Sequence, residues 1–458
     1  MTHDRSSKDG AVFSPVRDGL RGTIRVPGDK SISHRAVLLG AVNDGSVSVS
    51  GFLRSADTMA TIQAVRALGV GVDEHADTLT VHGNGWPGLQ EPDQVIDVGN
   101  SGTLMRLLPG LVASREMFCV LTGDASIRRR PMARVLEPLM AMGASVVGRA
   151  SNTLPPVSIR GGSLRGMEHT LAVASAQVKS CILLASLRAD GQTSITEPGI
   201  SRDHTERMIR LGGGRIERDD RTDGTGTVHL WPVDVLRLSD VSIPGDFSSA
   251  AFFLVAALLV PGSKVRLEGV GLNPTRIGLL QVLKRMGAQV KTEDHTQDAG
   301  EPVGAITAEF SELSCTDVDP GEIPALIDEL PLFLLAAARA RGRSQVRGAK
   351  ELRVKESDRL TAMARLLETL GRRVVEHEDG LQVTGDPTAW PGGAVETQHD
   401  HRLAMVGAVA GAASMEGVMV DDVECIAVSY PDFVEVLQSL AGDEYRQGQP
   451  VDAKEHAS

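Results

Sequence analysis

Six times in this chain a short polar motif opens directly onto an apolar, helix-length run. The anchors are Lys30 (PGDKSISHR before AVLLGAV), Asn100 (GNSGTLMR before LLPGLVA), Ser175 (ASAQVKS before CILLASL), Ser248 (PGDFSSA before AFFLVAALL), Asp328 (LIDEL before PLFLLAAARA) and His401 (HDHRLA before MVGAVAGAA). Their separation, roughly 70 to 80 residues, is the mark of a chain assembled from repeated supersecondary units. A run that is apolar all round predicts a buried helix. The N-terminus of a helix leaves N–H groups unsatisfied and carries a partial positive charge, so it favours anions. Six such helices opening on one cleft predict a highly charged small-molecule ligand.

A second marker accompanies the first. Amphipathic segments end at glycine and lead into β-branched runs, as in RALGVGV (Gly69), LMAMGASVV (Gly143), IRLGGGRI (Gly212), LKRMGAQV (Gly287) and LETLGRRVV (Gly371), with a weaker copy at Gly442. Glycine just past a helix supplies the left-handed cap, and the residues after it begin a strand. PGDKSIS from Pro27 and PGDFSSA from Pro244 read as one element used twice, before the first and fourth buried helices. Pro-Gly pairs suit chain reversals. The six units therefore divide as three plus three: residues 29–243 in one lobe, residues 1–28 and 244–458 in the other, with the site in the cleft between them.

At 458 residues the chain exceeds one ordinary core, which agrees with two lobes. A net charge of −12 argues against a nucleic-acid or membrane-surface binder, yet cations gather in the motifs: Lys30 and Arg35, Arg128 to Arg130, Lys355 and Arg359. Cys119, Cys181, Cys315 and Cys425 are scattered without a CxxC, which speaks for a reducing compartment and against zinc or a disulfide framework. The longest apolar run, Ala250 to Val260, falls short of a membrane span. Both ends read as short disordered tails, the first without a signal-peptide core. A cytoplasmic protein is expected.

Within the motifs, Lys30 offers a point charge, Ser31 a hydroxyl donor and Arg35 a planar fork for phosphate or carboxylate. GNSGTLMR resembles an anion nest: Gly99 and Gly102 permit close backbone approach, and Asn100, Ser101 and Thr103 add donors beside Arg106. Arg130 adjoins Pro131, a residue suited to opening a helix. Ser175 and Gln177 are hydrogen-bonding groups at a helix start. LRVKESDR places Lys355 and Arg359 four apart on an expected helix, with Glu356 between them; alone, that spacing is equally a salt-bridged surface helix. Asp328 is a carboxylate beside a long apolar run, costly unless paired or functional. Arg402 in DHR is an anion-site candidate, whereas His399 and His401 lack the further ligands of a closed metal site.

Taken in order, PGDKSISHR, GNSGTLMR, RRRPM, ASAQVKS, RDHTERM, LIDELP, LRVKESDR and DHRLAM resemble the EPSP synthase (5-enolpyruvylshikimate-3-phosphate synthase) family over nearly the whole chain. The resemblance implies an α/β, two-lobed, hinged clamshell of six βαβαββ repeats, three per lobe, around buried parallel helices. It implies transfer of the enolpyruvyl group of phosphoenolpyruvate to the 5-hydroxyl of shikimate 3-phosphate, releasing phosphate, with no cofactor and no metal. Carried over residue by residue, Lys30, Ser31, Arg35, Ser175, Ala176, Gln177, Arg202, Asp328 and Lys355 would hold shikimate 3-phosphate. Lys30, Asn100, Gly102, Thr103, Arg130, Gln177, Arg359 and Arg402 would hold phosphoenolpyruvate, while Asp328, Glu356 and Lys30 would serve in proton transfer. A monomer acting on small molecules, without nucleic acid or membrane, is expected.

The chain departs from some members at Val428, where a lysine can stand, and in ASAQ and RDHTE, which replace SSQ and a tyrosine-bearing segment. Gly102 stands where glyphosate-tolerant members can carry alanine. The sibling family that acts on UDP-N-acetylglucosamine shares the repeats but carries Lys-Asn in place of Lys30-Ser31. It also has a reactive cysteine where this chain reads TGDASIRRRP. A non-catalytic anion-binding scaffold is the rival from another class, and Asp328 and Glu356 argue against it.

Overall fold

The structure is a computed structural model that describes residues 10–222 and 224–442; the two tails expected to be disordered lie outside the described residues, except Gly10. The chain divides into two compact units, Pro27–Gly245 with Thr296–Val303, and Met1–Val26 with Asp246–His295 and Gly304–Ser458. Each has its own hydrophobic core.

Among the described residues twelve principal helices alternate in character: α1 (Lys30–Ala41), α2 (Ala56–Ala67), α3 (Gly102–Ala113), α4 (Ala133–Met142), α5 (Ala176–Ser186), α6 (His204–Leu211), α7 (Phe247–Leu259), α8 (Gly278–Arg285), α9 (Leu330–Ala338), α10 (Arg359–Thr369), α11 (His401–Ala412) and α12 (Phe433–Ala441). The odd-numbered ones are the apolar runs behind the polar motifs, and α7, α9 and α11 are buried along their whole length. The even-numbered ones are half-buried covers. Five of the six are followed by the predicted glycine in the left-handed region: Gly69, Gly143, Gly287, Gly371 and Gly442. After α6 the prediction slips by one residue. Gly212 keeps a φ of −77°, and its neighbour Gly213 takes the positive φ.

The unit containing Pro27–Gly245 carries three four-stranded sheets of one topology. Their strand orders are Val241–Ser242, Asp44–Ser50, Thr78–Asn84, Gly71–Glu74; then Ile96–Asp97, Phe118–Thr122, Leu154–Arg160, Ser145–Gly148; then Glu168–Thr170, Thr193–Glu197, Gly226–Leu230, Ile216–Asp220. In every case the first pair is parallel and the next two antiparallel. Among the described residues the other unit also has three sheets, and two of their strands come from early in the chain, Ala11–Phe13 beside Val418–Val420 and Arg21–Arg25 beside Lys264–Gly271. The buried helices pack closely where side chains vanish: a Cβ on Gly110 of α3 would collide with the Cys181 carbonyl of α5.

Local chemistry sets where the buried helices start. Asp29 caps α1 by accepting from Ile32 N, Ser101 caps α3, Ser175 caps α5, Asp246 caps α7 and Asp400 caps α11. The two PGD motifs are thus the same capping device, and Gly28 and Gly245 pair as an antiparallel bridge. Two expectations need correction. Lys355 and Glu356 are not on a helix: Asp358 accepts from Thr361 N and starts α10 only at Arg359, while Lys355 is extended after a 3-10 turn. Likewise the helix after Arg130 opens at Ala133, not at Pro131.

Candidate active site

In the first unit the N-termini of α1, α3 and α5 gather the predicted residues. Lys30 Nζ lies 3.0 Å from Asp57 Oδ2 at the start of α2, and Asp57 Oδ1 lies 3.3 Å from His34 Nε2. Burial alone would push the Asp57 carboxyl up, but Lys30, His34 and Ser101 override it and hold it far below the usual carboxylate range. Arg35 is fully inside. It donates to Thr205 Oγ1 at 2.6 Å, Ser31 O at 2.8 Å and Ser180 Oγ at 2.8 Å. Burial is the main force lowering its guanidinium to about 10, with Glu206 and Asp29 opposing and Arg202 adding to the fall. Arg202 lies in the short connection ahead of α6.

Beside this, Gln177 on α5 bridges to α3: its Nε2 donates to Thr103 Oγ1 at 3.2 Å, and its Oε1 accepts from Arg106 at 2.8 Å. Arg130 reaches Asn100 Oδ1 at 3.4 Å, and Asn100 donates to Asp124 at 2.5 Å. Gly102 is the α3 residue against which the Arg130 guanidinium rests. Asn100, Gly102, Thr103, Arg106, Arg130 and Gln177 therefore form one cluster. Ser175 and Ala176 frame it at the capped start of α5. Ser31 lies on α1 beside Lys30 and is half-buried.

The second unit assembles the remaining residues at the N-termini of α7, α9, α10 and α11. Asp328 Oδ1 faces Lys355 Nζ at 3.4 Å and Arg359 Nη1 at 3.7 Å. Arg359 Nη2 also holds Glu356 Oε2 at 2.7 Å, and its Nε holds Asp400 Oδ2 at 2.7 Å. Burial would lower this guanidinium, yet Asp400, then Glu356 and Asp328, drive it above the ordinary arginine value. Burial would raise Asp400, and Arg359 reverses that, leaving the carboxyl depressed. Arg402 donates to the Asp328 carbonyl at 3.1 Å and to Ser248 Oγ at 3.2 Å.

Sequence reasoning missed several partners here. Glu329, wholly buried, accepts from Ser248 Oγ and lies 3.3 Å from Arg276 Nη1. Arg276 also donates to Asp246 at 2.9 Å. Glu329 follows Asp328 directly and is the carboxylate set inside; Arg276, in an NPTR turn, carries no signal a reader could use. Asp57 is equally silent, since it sits in the first turn of an ordinary half-buried helix. Val428 ends a 3-10 turn ahead of α12. Exposed His399 pairs with Asp422 at 2.6 Å, and among the described residues no three His, Cys, Asp or Glu side chains form a metal-ligand group. Among them, too, no helix is long and apolar enough to cross a membrane.

Two three-sheet units, each with cations and capped helix starts gathered at one end of its buried helices, define a repeat-built binder and converter of anionic small molecules. Residues 16–437 match the family model described as EPSP synthase (3-phosphoshikimate 1-carboxyvinyltransferase). The chain is 47% identical over 430 residues to the 3-phosphoshikimate 1-carboxyvinyltransferase of Bacillus thuringiensis subsp. konkukian, covering 94% of this chain and 99% of that one. Its fold superposes on the EPSP synthase of Acinetobacter baumannii with a TM-score of 0.83 at 40% identity, covering 94% of this chain and 98% of that one. The enolpyruvyl transferase NikO of Streptomyces tendae shares the fold alone, at a TM-score of 0.74 and 19% identity over 97% of this chain and all (100%) of that one. The chain belongs to the EPSP synthase family.

Proposed function

We propose that the chain moves the enolpyruvyl group of phosphoenolpyruvate to the 5-hydroxyl of shikimate 3-phosphate, and that the two clusters above serve this one reaction. The observation that carries the residue-level reading is the sharing of one guanidinium. Arg359 touches both Asp328, at 3.7 Å, and Glu356, at 2.7 Å, so two carboxylates are fixed around a cation suited to the phosphoenolpyruvate carboxylate or phosphate.

Lys30, Ser31, Arg35, Ser175, Ala176, Gln177, Arg202, Asp328 and Lys355 take shikimate 3-phosphate; Asn100, Gly102, Thr103, Arg130, Gln177, Arg359 and Arg402, with Lys30, take phosphoenolpyruvate. Both substrates are anionic, and this cationic set offsets their repulsion while fixing their orientation. Asp328, assisted by Lys30, takes the 5-hydroxyl proton as that oxygen attacks C2 of phosphoenolpyruvate. Glu356 gives a proton to C3. The tetrahedral intermediate then loses phosphate and a C3 proton, restoring the double bond. The test is phosphate release from phosphoenolpyruvate with shikimate 3-phosphate and, separately, with UDP-N-acetylglucosamine. Release only with the first upholds the reading, release only with the second reassigns the chain to its sibling family, and silence with both in a folded sample favours a scaffold.

A further inference from the structure

Beneath the predicted shikimate 3-phosphate residues lies a charged cluster that the reaction does not use. Lys179, one turn beyond Ser175 on α5, is fully buried, with its Nζ 2.9 Å from Glu197 Oε1 and 2.8 Å from Glu206 Oε1. Glu197, the last residue of strand Thr193–Glu197, is also fully buried and takes Arg218 Nη1 at 2.8 Å. A buried ion pair of this kind returns little stability, because the desolvation of its charges offsets their attraction; an apolar pair would fill the space as well. Its placement therefore asks for another reason.

The remaining bonds converge on one residue. Lys179 Nζ donates to Ser201 O at 3.2 Å, and Glu197 accepts from Ser201 N at 3.4 Å and from Ser201 Oγ at 2.5 Å. Ser201 is itself buried, whereas Ile200 before it is exposed. The next residue is Arg202, whose charge is felt at Arg35. Two arginines of like charge do not hold each other in place. Arg35 is pinned by hydroxyls and a carbonyl, and the Arg202 backbone follows directly from the Ser201 backbone that Lys179 and Glu197 hold.

We propose that Lys179 and Glu197 are positioning residues that clamp the Ser201–Arg202 turn and so present Arg202, beside Arg35, to the phosphate-bearing substrate. The proposal deepens the assignment of this site to shikimate 3-phosphate and rests on it. Glu206 links the clamp to Arg35, because it faces Lys179 on one side and is the leading opposing charge on the Arg35 guanidinium on the other.

The experiment is a double-mutant cycle on shikimate 3-phosphate affinity, with kcat followed in parallel. Lys179→Met/Glu197→Gln removes both members of the pair, and with them the contacts to Glu206 and Arg218, whose effect the Arg202→Ala background separates from the clamp. The expected result is a dissociation constant raised on the order of 10- to 100-fold with kcat little changed. The same pair of changes should add almost nothing in an Arg202→Ala background. Equal losses in both backgrounds would mean general support of the fold and would overturn the proposal. Unchanged affinity in Arg202→Ala alone would also overturn it, while wild-type phosphate release with shikimate 3-phosphate would leave the enzymatic reading standing. Should the paired variant not fold, Ser201→Gly keeps every buried charge and cuts the hydroxyl bond. A raised dissociation constant there supports the clamp, and an unchanged one removes it.

Discussion

Lys30 and Asp57 stand 3.0 Å apart at the facing starts of α1 and α2, and His34 closes on the same carboxylate from one turn further along α1. The lysine proposed to assist proton transfer is thereby held by a carboxylate outside the proposed proton-transfer set. Because the folded carboxyl sits well below its unfolded value of about 3.9, its stabilisation is complete above that pH and fades as pH falls below it. Asp57→Asn should cost about 1–3 kcal/mol at neutral pH and flatten the acid side of the stability curve. Urea midpoints from pH 3 to 7 check this; an unaltered acid slope would show that the pair is not coupled to folding.

Asp328→Asn and Glu356→Gln keep the shape of each side chain and delete, respectively, the proposed proton acceptor and the proposed proton donor. Each should lower kcat by roughly 10²- to 10⁴-fold, the range expected of general acid–base groups. Shikimate 3-phosphate affinity should move most for Asp328, which also faces Lys355 at 3.4 Å. Single-turnover kinetics with both substrates would separate the steps, and full activity in both variants would remove the proton-transfer assignment.

Gly102→Ala tests the α3 cluster. The added Cβ would meet the Arg130 guanidinium and sit 3.3 Å from Arg106 Nη1. Both are ends of flexible side chains, so the fold should persist while the arginines shift. The expected outcome is a several-fold rise in KM for phosphoenolpyruvate, with KM for shikimate 3-phosphate nearly constant. A change confined to the second substrate would place Arg130 on the wrong ligand.

What could be read from the sequence followed a physical rule. The apolar runs and the polar motifs ahead of them were legible because a helix buried on all sides gathers most of its polar residues near its mouth, where the structure adds that Asp29, Ser101, Ser175, Asp246 and Asp400 act as caps. The site cations at those mouths were legible for the same reason. Their counter-charges were not. Asp57, Arg276 and Glu197 lie in segments with ordinary polarity, and only tertiary packing brings them to Lys30, Glu329 and Lys179. The misplaced helix at Lys355 shows the limit of i,i+4 spacing: Asp358, one residue before Arg359, competes as a cap and wins.

Thiol chemistry separates this chain from its sibling family. Burial, with Glu91 adding, pushes the Cys119 thiol up to about 12, and burial raises Cys181, Cys315 and Cys425 as well. A thiol in that state is a poor nucleophile at neutral pH. Iodoacetamide at pH 7 should leave turnover intact, with mass spectrometry finding the earliest label on half-buried Cys315. Rapid inactivation would point to a reactive cysteine that the geometry does not supply.

Arg359 is the residue on which the second cluster turns, and Asp400 is what allows it to be there. The guanidinium is 1% exposed and the carboxylate 0%, joined by Nε–Oδ2 at 2.7 Å and Nη2–Oδ1 at 3.1 Å, a two-point fork that also fixes the plane of the arginine. Asp400 simultaneously caps α11 by accepting from Arg402 N at 3.0 Å, so one side chain sets the position of both Arg359 and Arg402. Asp400→Asn retains a cap but takes from the buried guanidinium its two-point carboxylate partner, leaving Glu356 and Asp328, so the cost should approach but not exceed the about 3–5 kcal/mol of a fully broken buried pair. The melting temperature should fall accordingly, and kcat/KM for phosphoenolpyruvate should fall further than stability alone explains, because two arginines lose their aim together. Asp400→Glu restores the charge but lengthens the arm. It should recover most of the stability and little of the activity, and recovery of both in equal measure would show that charge, not geometry, is what Asp400 provides.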